Sequence, residues 1–424
     1  MKRRRTTTIL IAAFALLGSA APTTLAEYVA PLVQQHDFSG VILVAGREGT
    51  LADSAFGNAA SPQAAYAIGS ISKTFTAAAI ELLASRGKLQ YSETLDKFVP
   101  EYRHAKDVTI EQLLEHTAGI PDYYALRSFA SVREKNLSLA QIVRWLNAFP
   151  LDFKPGARGQ YSNSGYSLLA LVVERSSGES YGKFLADNIF TPLGLTHTSA
   201  SASPSDVVGY DPGPAPTYVQ PAAKFGEGWL TGNGSIRSTA DDLSHWLDVA
   251  AAGAFINFKY LPYPNGWSKR TGSSILEQDG RIPGFASDIS IDEATGLKVI
   301  VLSNIQCAVV TMMANDLRKA YSGGGNLPMP ASRPTYNPTL ADLSAVTGNF
   351  GLPGLPLVVS LRHSALMLSN ANDGMQLPLD PIAPNTFFFR PVYASVTFNT
   401  DAKGVAQSIN WAGKFTIPRL RASR

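Results

Sequence analysis

Ala67-Ile68-Gly69-Ser70-Ile71-Ser72-Lys73-Thr74-Phe75-Thr76 is the stretch around which the rest of the chain is organised. Apolar residues recur at helical spacing after it and Gly87 supplies a stop, so the pattern predicts a helix that opens at Ser70. Residues three apart share a helix face, which brings the Lys73 amine within reach of the Ser70 hydroxyl. A lysine whose pKa is lowered by burial can take the proton of a serine, so this spacing favours a nucleophile. A capping serine and a solvated lysine would give the same tetrapeptide. Other segments that could act together with Ser70 and Lys73 must therefore distinguish the two interpretations.

The first candidate partner is Tyr161-Ser162-Asn163, which follows the turn at Pro155-Gly156. A turn presents side chains rather than burying them. We expect Tyr161 to relay the proton of Ser70 or to deliver it to the leaving group, and Asn163 to hold Lys73 and a substrate amide in register. The alternative is a core tyrosine and a helix-capping asparagine.

The second candidate partner is Gln278-Asp279-Gly280-Arg281, which reads as a strand at a sheet edge. Gly280 would let a substrate approach the backbone closely. The amide of the following Arg281 would then pair with the amide of Ser70 as an oxyanion hole. A simple turn is the alternative interpretation.

The N-terminus has the features of a secretory signal. Met1-Lys2-Arg3-Arg4-Arg5 is a charged region, residues 9–17 form a short apolar core, and small residues precede Glu27. The apolar core is too short to anchor the chain in a bilayer. We therefore predict a signal peptide at residues 1–26, no transmembrane anchor after its removal, and an exported protein that is periplasmic or secreted.

Composition excludes several classes of function. The full chain has 36 basic and 33 acidic residues, and the predicted signal carries four of the basic ones, so the remainder is nearly neutral. A nucleic-acid partner would need a dense basic face, and none is expected. Cys307 is the single cysteine and cannot form an internal disulfide. The six histidines are scattered without metal-ligand spacing, so no metal site is predicted, and His116 is expected to pack or hydrogen-bond near the active-site floor.

The order of patterns predicts an α/β protein of two domains. Strands at both ends of residues 27–325 with helices between them imply one sheet assembled from distant segments. Residues 326–338 are rich in proline and read as a linker, and residues 339–424 read as a small antiparallel β-barrel. The predicted helices are 27–36, 108–114, 138–146, 166–175, 238–253 and 307–321. The predicted strands are 41–45, 50–56, 286–291, 297–302, 357–361, 366–368, 387–389, 396–398 and 409–411, with an irregular connection over 201–221.

In their order and spacing over roughly residues 27–325, these pieces resemble the serine β-lactamase and penicillin-binding protein superfamily, in particular its class C-like branch. The matching segments are Ser70-Ile71-Ser72-Lys73, His116-Thr117-Ala118-Gly119, Tyr161-Ser162-Asn163, Thr191-Pro192-Leu193-Gly194-Leu195, Gly234-Ser235-Ile236-Arg237-Ser238-Thr239, Gln278-Asp279-Gly280 and Pro283-Gly284-Phe285.

The resemblance implies a fold and a mechanism. The fold is an antiparallel sheet flanked by helices, with an all-helical subdomain. In the mechanism Ser70 is acylated, Lys73 and Tyr161 shuttle protons, and no metal or organic cofactor is needed. Residues 339–424 are similar to the lipocalin-like domains appended to some members.

One position departs from the family. Gln278 stands where a lysine or histidine usually helps to bind an acidic substrate group. Losing that cation weakens binding by roughly 1–3 kcal/mol on the scale of charged hydrogen bonds. We therefore expect weak or no β-lactamase activity and an ester or small amide as the better substrate, with an esterase, D-amino-acid peptidase or D,D-carboxypeptidase type of reaction. Arg281 would restore the charge if its side chain faced the substrate.

Two other interpretations remain open. Gly178-Glu179-Ser180-Tyr181-Gly182 matches the nucleophile elbow of α/β-hydrolases, but that elbow needs a preceding strand and a helix is predicted there. The chain is alternatively a non-enzymatic penicillin-binding-type protein that binds peptides or peptidoglycan fragments, because Gln278 replaces the cation. On either account the expected partner is a small-molecule or peptide-like acyl group.

Overall fold

The structure is a computed structural model that describes residues 23–58, 61–201, 207–213, 218–255, 266–352, 355–372 and 375–420. The helices are α1 Leu25–Gln34, α2 Ser72–Ser85, α3 Ile110–Leu114, α4 Leu139–Leu146, α5 Asn163–Ser177, α6 Tyr181–Leu185, α7 Ala240–Ala251, α8 Val309–Gly323 and α9 Leu340–Ala345. The strands are β1 Gly40–Gly46, β2 Gly49–Phe56, β3 Tyr66–Ala67, β4 Tyr210–Pro212, β5 Val219–Pro221, β6 Arg237–Ser238, β7 Ile275–Ile282, β8 Phe285–Asp292, β9 Leu297–Ser303, β10 Gly348–Leu352, β11 Leu355–Arg362, β12 Ala365–Asn370, β13 Gln376–Ala383, β14 Thr386–Phe389, β15 Ala394–Thr400, β16 Ala406–Trp411 and β17 Phe415–Pro418.

A five-stranded sheet forms the centre of residues 27–325, the predicted catalytic region, in the order β2-β1-β9-β8-β7. All neighbouring strands are antiparallel, and β1 pairs with β9 although about 250 residues separate them. This pairing confirms the prediction that distant segments build one sheet. It also puts β7 at one edge of the sheet.

Alternating side chains of the sheet pack into two separate cores. In β1, Val41 and Leu43 face a large core formed with α2, α5 and α7, whereas Ile42 and Val44 face a smaller core formed with α1 and α8. This is the period-two alternation of a sheet that is covered on both faces. The mixed α/β fold predicted from the sequence is confirmed.

The helical region carries the site residues on α2 and α5. Thr109 caps α3, because its hydroxyl accepts from Gln112 N at 3.3 Å. The prediction that residues 161–163 form a turn before a helix at Tyr166 is wrong for Asn163, which is the first residue of α5. Ser162 caps the helix early by accepting from Gly165 N at 3.3 Å.

The predicted irregular connection over 201–221 is also partly ordered. The described residues include the paired strands β4 and β5. Asp211 of β4 fixes this pair, because its carboxylate accepts from Gly284 N and Ala223 N, each at 2.7 Å. Residues 202–206 and 214–217 of the connection lie outside the described residues.

The C-terminal region is an eight-stranded antiparallel barrel, in the order β10 to β17. A bridge between Phe350 and Arg419 brings the first and last strands together. The core is apolar and includes Leu357, Leu368 and Phe398. The barrel is therefore confirmed, although it has more strands than the five predicted.

Buried charges fix the barrel against the catalytic region. Residues 325–339 contain no helix or strand, and within them Arg333 forms an ion pair with Asp37, which is fully buried. In the barrel, the fully buried Arg390 pairs with Asp380 at 2.8 Å and donates to the carbonyl oxygen of Tyr218 at 3.0 Å. The boundaries at 26, 325 and 338 stay predictions.

The prediction of export rests on residues that lie mostly outside the described ones, which begin at residue 23. Within the part of the chain that the structure describes, every helix is too short or too polar to span a bilayer. The signal peptide itself stays a prediction.

Candidate active site

Ser70 lies where a short strand meets a helix. It follows β3 in a single 3₁₀ turn, Gly69–Ile71, which leads directly into α2. Gly69 has a φ of +54°, and a Cβ at this position would lie 2.6 Å from the backbone nitrogen of Arg281. Glycine is therefore required here, both for its backbone conformation and because the edge strand β7 approaches so closely.

Lys73 lies one turn further on and is 1% exposed. Its Nζ is 3.0 Å from Ser70 Oγ, 2.8 Å from Asn163 Oδ1 and 2.9 Å from the carbonyl oxygen of Asn233. Burial lowers the pKa of Lys73 from 10.5 to about 7, and the charges of Asp122 and Asp279 oppose that change. The amine can therefore lose its proton near neutral pH.

The hydrogen-bond partners of Lys73 decide where its lone pair points. Asn163 Oδ1 and the carbonyl oxygen of Asn233 can only accept, so each takes an N–H of a neutral amine. The lone pair of the neutral amine is then left for the Ser70 hydroxyl. This is the arrangement that a general base needs.

Tyr161 is the second group on Ser70. Its Oη is 2.7 Å from Ser70 Oγ, and its side chain is 43% exposed at the cleft. The Lys73 ammonium position lies 4.8 Å from the centroid of the Tyr161 ring, and the ring of His116 lies 4.5 Å away on another side. The phenol is thus in place to exchange a proton with Ser70 and with solvent or a leaving group.

Asp122 is a site residue that was not predicted from the sequence. Its carboxylate accepts from Asn163 Nδ2 and from Asn163 N, each at 3.2 Å, and thereby turns Asn163 Oδ1 toward Lys73. Burial raises the pKa of Asp122 above its ordinary value, while Asn163 and Lys73 oppose the rise. The sequence signal was slight, since Asp122 lies three residues after the quoted segment that ends at Gly119.

Asn233 was also missed, because its contact with Lys73 is made by the backbone. The side chain anchors that carbonyl: Asn233 Nδ2 donates to Ser167 Oγ at 2.9 Å and to the carbonyl oxygen of Trp229 at 2.7 Å. It lies next to the quoted segment that begins at Gly234. A backbone acceptor leaves no mark in side-chain spacing.

The edge strand β7 runs alongside Ser70, as predicted. A Cβ on Gly280 would lie 1.9 Å from the carbonyl oxygen of Ile68 and 2.9 Å from the backbone nitrogen of Ser70. Gly280 therefore allows an approach that no other residue would allow. It brings the backbone of Arg281 beside Ser70, the arrangement expected of two oxyanion donors.

Gln278 and Arg281, which flank Asp279-Gly280, differ in where their side chains lie. Gln278 is 8% exposed and accepts from Ser268 Oγ at 3.4 Å. Arg281 instead extends toward the barrel, where it donates to the carbonyl oxygen of Pro391 at 3.2 Å, and its guanidinium is 3.7 Å from the Asp279 carboxylate. The positive charge of Arg281 is therefore offset by the Asp279 carboxylate, and its guanidinium is hydrogen-bonded to the barrel.

These residues surround a cleft of about 420 Å³. Its lining residues are Ser70, Tyr124, Tyr161, Asn163, Asn233, Ser268, Gln278, Asp279, Arg281 and Ile282. The predicted set of Ser70, Lys73, Tyr161 and Asn163 is brought together at one end. The chemistry available is proton abstraction from a serine beside a pair of backbone donors.

His116 lies beneath the site with a φ of +58°. Its Nδ1 accepts from Ser162 N at 3.1 Å, and burial, with the charge of Lys73, lowers its pKa to about 3. The imidazole is therefore neutral, and its predicted packing role is confirmed. Among the described residues, His, Cys, Asp and Glu side chains do not gather in groups of three or more that could hold a metal ion.

Ser180 lies in a structural context that differs from that of a nucleophile elbow. It precedes α6 and follows helix α5, so the strand that a nucleophile elbow requires is replaced by a helix. The Ser180 interpretation therefore lacks its structural basis.

The model of the Beta-lactamase family matches residues 25–321, which is more than half of the chain and includes every site residue described above. The chain belongs to the Beta-lactamase family. Its relatives include Protein flp of Staphylococcus aureus strain COL, 29% identical over 285 residues that cover 61% of this chain and 56% of the relative. The matched region thus spans just over half the length of that relative.

Two solved structures share the fold. The D-stereospecific amidohydrolase from Streptomyces sp. has a TM-score of 0.60 and 22% identity, and the match covers 71% of this chain and 99% of that one. The octameric penicillin-binding protein homologue from Pyrococcus abyssi has a TM-score of 0.59 and 18% identity, and the match covers 92% and 97%. The second match extends over most of this chain, and so the likeness of fold includes the barrel region.

Proposed function

We propose that this family member is a serine hydrolase that cleaves an ester or amide through an acyl-enzyme on Ser70. One observation carries the proposal: the buried Lys73 amine, with a pKa of about 7, lies 3.0 Å from Ser70 Oγ, and Tyr161 Oη lies 2.7 Å from the same oxygen. A serine between a neutral amine and a phenol can be deprotonated as it attacks.

In the acylation step, Ser70 Oγ attacks the carbonyl carbon and its proton passes to Lys73 Nζ. The carbonyl oxygen becomes an oxyanion that accepts from the backbone amides of Ser70 and Arg281. The tetrahedral intermediate collapses when the bond to the leaving oxygen or nitrogen breaks. The leaving atom receives its proton from Tyr161, which Lys73 reprotonates.

In the deacylation step, water takes the place of the leaving group. The water attacks the acyl carbon and its proton ends on Lys73, either directly or through Tyr161, which passes its own proton to Lys73 as it receives one; the oxyanion is again held by the two amides. Ser70 Oγ leaves and regains a proton from Lys73, and the carboxylic acid product dissociates. Besides the substrate, the cycle consumes only water.

The substrate is proposed to be an ester or a small amide rather than a β-lactam. Gln278 is neutral, and Arg281, which also lines the cleft, is directed toward Asp279 and Pro391. A substrate carboxylate would therefore find little positive charge. Esters, D-amino-acid amides and D-alanyl peptides of the peptidoglycan type are the classes to test, the D-configured ones because one structural neighbour is a D-stereospecific amidohydrolase. Export to the periplasm or the medium is part of the same proposal.

The test is labelling followed by a substrate panel. A fluorophosphonate should add one adduct to the wild type and none to Ser70→Ala, as read by intact mass and peptide mapping. Hydrolysis of p-nitrophenyl acetate should fall at least about 10³-fold in Ser70→Ala, as expected when a nucleophile is removed. Ser180→Ala is the matched control and should keep both labelling and turnover.

Three outcomes would overturn the proposal in different ways. An unlabelled Ser70 with every acylating probe would favour the non-enzymatic binder of peptides or peptidoglycan fragments. Loss of activity in Ser180→Ala alone would restore the elbow interpretation. Rapid nitrocefin turnover, at a rate typical of a dedicated β-lactamase, would reject the substrate class while leaving Ser70 as the nucleophile.

A further inference from the structure

A second cavity, of about 470 Å³, lies between the open end of the barrel and the catalytic region. Its barrel side is formed by apolar side chains from several strands, among them Leu357, Leu368, Trp411 and Phe415. Its volume is in the range of small-molecule sites, and the mouth of a β-barrel is a common place for such a site. The catalytic mechanism does not use this cavity.

The barrel cavity adjoins the cleft at Ser70. Tyr124, Arg281 and Ile282 line both spaces. Arg281 follows Gly280, whose backbone touches that of Ser70. A molecule whose carbonyl lies at Ser70 and whose chain lies in the barrel cavity would pass Tyr124, Arg281 and Ile282, the residues that border both spaces.

The barrel side of this cavity exposes apolar surface that nothing in the described chain covers. Phe415 is 44% exposed and stacks on Trp411 with the ring centroids 6.3 Å apart, and Val392 is 40% exposed. Exposed apolar side chains are common when they are scattered singly. Here they lie together in a concave space, which is the pattern of a ligand site.

Charge is confined to the end that faces the cleft. Among the described lining residues of the barrel cavity, Arg281 alone is charged, and it lies where the two spaces meet. The rest of the lining is apolar apart from a few neutral polar groups such as Ser369 and Asn370. A ligand that matches this lining has a polar end near Ser70 and an apolar end in the barrel cavity.

We propose that the open end of the barrel is a subsite for an apolar chain of the ester or amide that acylates Ser70. The inference rests on the proposed function, because it names the substrate class of that same site. The barrel is then part of the substrate-binding apparatus. The preferred substrates are medium-chain or aromatic acyl compounds rather than acetyl or D-alanyl ones.

The first experiment is a chain-length series. With p-nitrophenyl esters from acetate to octanoate, or with alkyl esters if the leaving group occupies the barrel, kcat/KM should rise about threefold to fourfold per added methylene. Phe415→Ala and Val392→Asn should each lower the octanoate-to-acetate ratio about tenfold. Val405→Asn is the matched control, because Val405 is 37% exposed on the barrel but does not line the cavity. It should leave the ratio unchanged.

The second experiment separates this subsite from catalysis. Sodium octanoate is titrated calorimetrically into Ser70→Ala and into Ser70→Ala combined with Phe415→Ala. Binding to the first that weakens about tenfold in the second supports the subsite, even if the substrate panel shows Ser70 not to be the nucleophile. Flat chain-length series for both ester types, or a ratio and an octanoate affinity that the cavity variants do not change, would overturn it.

Discussion

At the scale of single residues, Lys73 determines the pH dependence. The neutral amine is the form that accepts the Ser70 proton, and the pKa of Lys73 is lowered to about 7 by burial. The neutral fraction rises with pH, so kcat/KM should rise with pH along one acid limb whose midpoint is near pH 7, and then level off. The measurement is kcat/KM for p-nitrophenyl acetate across pH.

His116 serves as an internal check on that profile. Its pKa is lowered to about 3, so it stays neutral over the assay range and adds no second acid limb. A limb with a midpoint above pH 9 would mean that Lys73 keeps its proton and is not the base. Circular dichroism at each pH should show that the fold is constant through the transition.

Asp122 should act as a positioning residue that sets the pH midpoint of this acid limb. Its negative charge raises the pKa of Lys73, and its carboxylate holds Asn163. Asp122→Asn removes the charge but keeps an acceptor, so the limb should move to lower pH. Asp122→Ala should show the same displacement and also lose about tenfold or more in plateau kcat, on the scale of a lost hydrogen bond to a charged group.

The matched control for the Asp122 variants is Asp107→Asn, because Asp107 is exposed and lies outside the cleft. Its profile should coincide with that of the wild type. If Asp122→Asn leaves the limb in place while Asp122→Ala lowers kcat, Asp122 acts on Asn163 alone. If neither variant changes the profile, the carboxylate has no part in positioning Lys73.

The contact of Lys73 with Ser70 could be predicted from residue spacing, whereas the contact of Asp122 with Asn163 could not. Ser70 and Lys73 share a helix face, so their contact follows from a separation of three residues. Tyr161 and Asn163 were found because their types suit the same chemistry. Asp122 meets Asn163 across 41 residues through a loop whose path depends on tertiary packing, and no local period encodes it.

At the scale of elements, strand β7 must lie against the Ser70 turn. Gly280→Ala would place a methyl group 1.9 Å from the carbonyl oxygen of Ile68, and backbone must move to admit it. We expect kcat/KM to fall about 10²-fold or more, as when an oxyanion donor is removed. Stability should fall by about 1–3 kcal/mol, as for other overpacked sites.

The control for that variant is Gly323→Ala, since a Cβ at Gly323 meets nothing within 4 Å. It should keep both activity and thermal stability. Turnover by Gly280→Ala within a few-fold of the wild type would show that the approach of β7 to Ser70 is not needed for the reaction. Fluorophosphonate labelling of the same variant tells whether the nucleophile survives when the strand is displaced.

Elements with strong local signals were predictable, and those defined by partners were not. The β1–β2 and β8–β9 hairpins follow from apolar runs around turn residues. Strand β13 was missed because it contains Pro378 and Pro381, which read as breakers. Strand β4 is three residues long and exists through its partner β5 and the hydrogen bonds of Asp211.

At the scale of the whole molecule, the barrel and the catalytic region share buried charges. Asp37 precedes β1, Arg333 lies in the segment between the two regions, and Tyr393 of the barrel donates to Asp37 at 3.3 Å. The two regions were predictable from the sequence, but the way they dock was not. The partners of Asp37 come from about 300 or more residues away, beyond the reach of any local pattern.

The docking of the two regions should depend on Arg333. Arg333→Met leaves the Asp37 carboxylate buried without its cation, which costs about 3–5 kcal/mol when one partner of a buried pair is removed. Thermal unfolding should show a lower first transition, and the barrel should melt separately from the catalytic region in calorimetry.

Lys183→Met is the control, because Lys183 forms exposed ion pairs on the surface, and its effect should be much smaller. The double variant Arg333→Met with Asp37→Leu should recover part of the loss, since it removes the unpaired charge as well. If Arg333→Met melts like Lys183→Met, the ion pair does not hold the barrel in place; if it melts lower, the octanoate-to-acetate ratio should fall with it, because the apolar subsite exists only while the barrel faces the cleft.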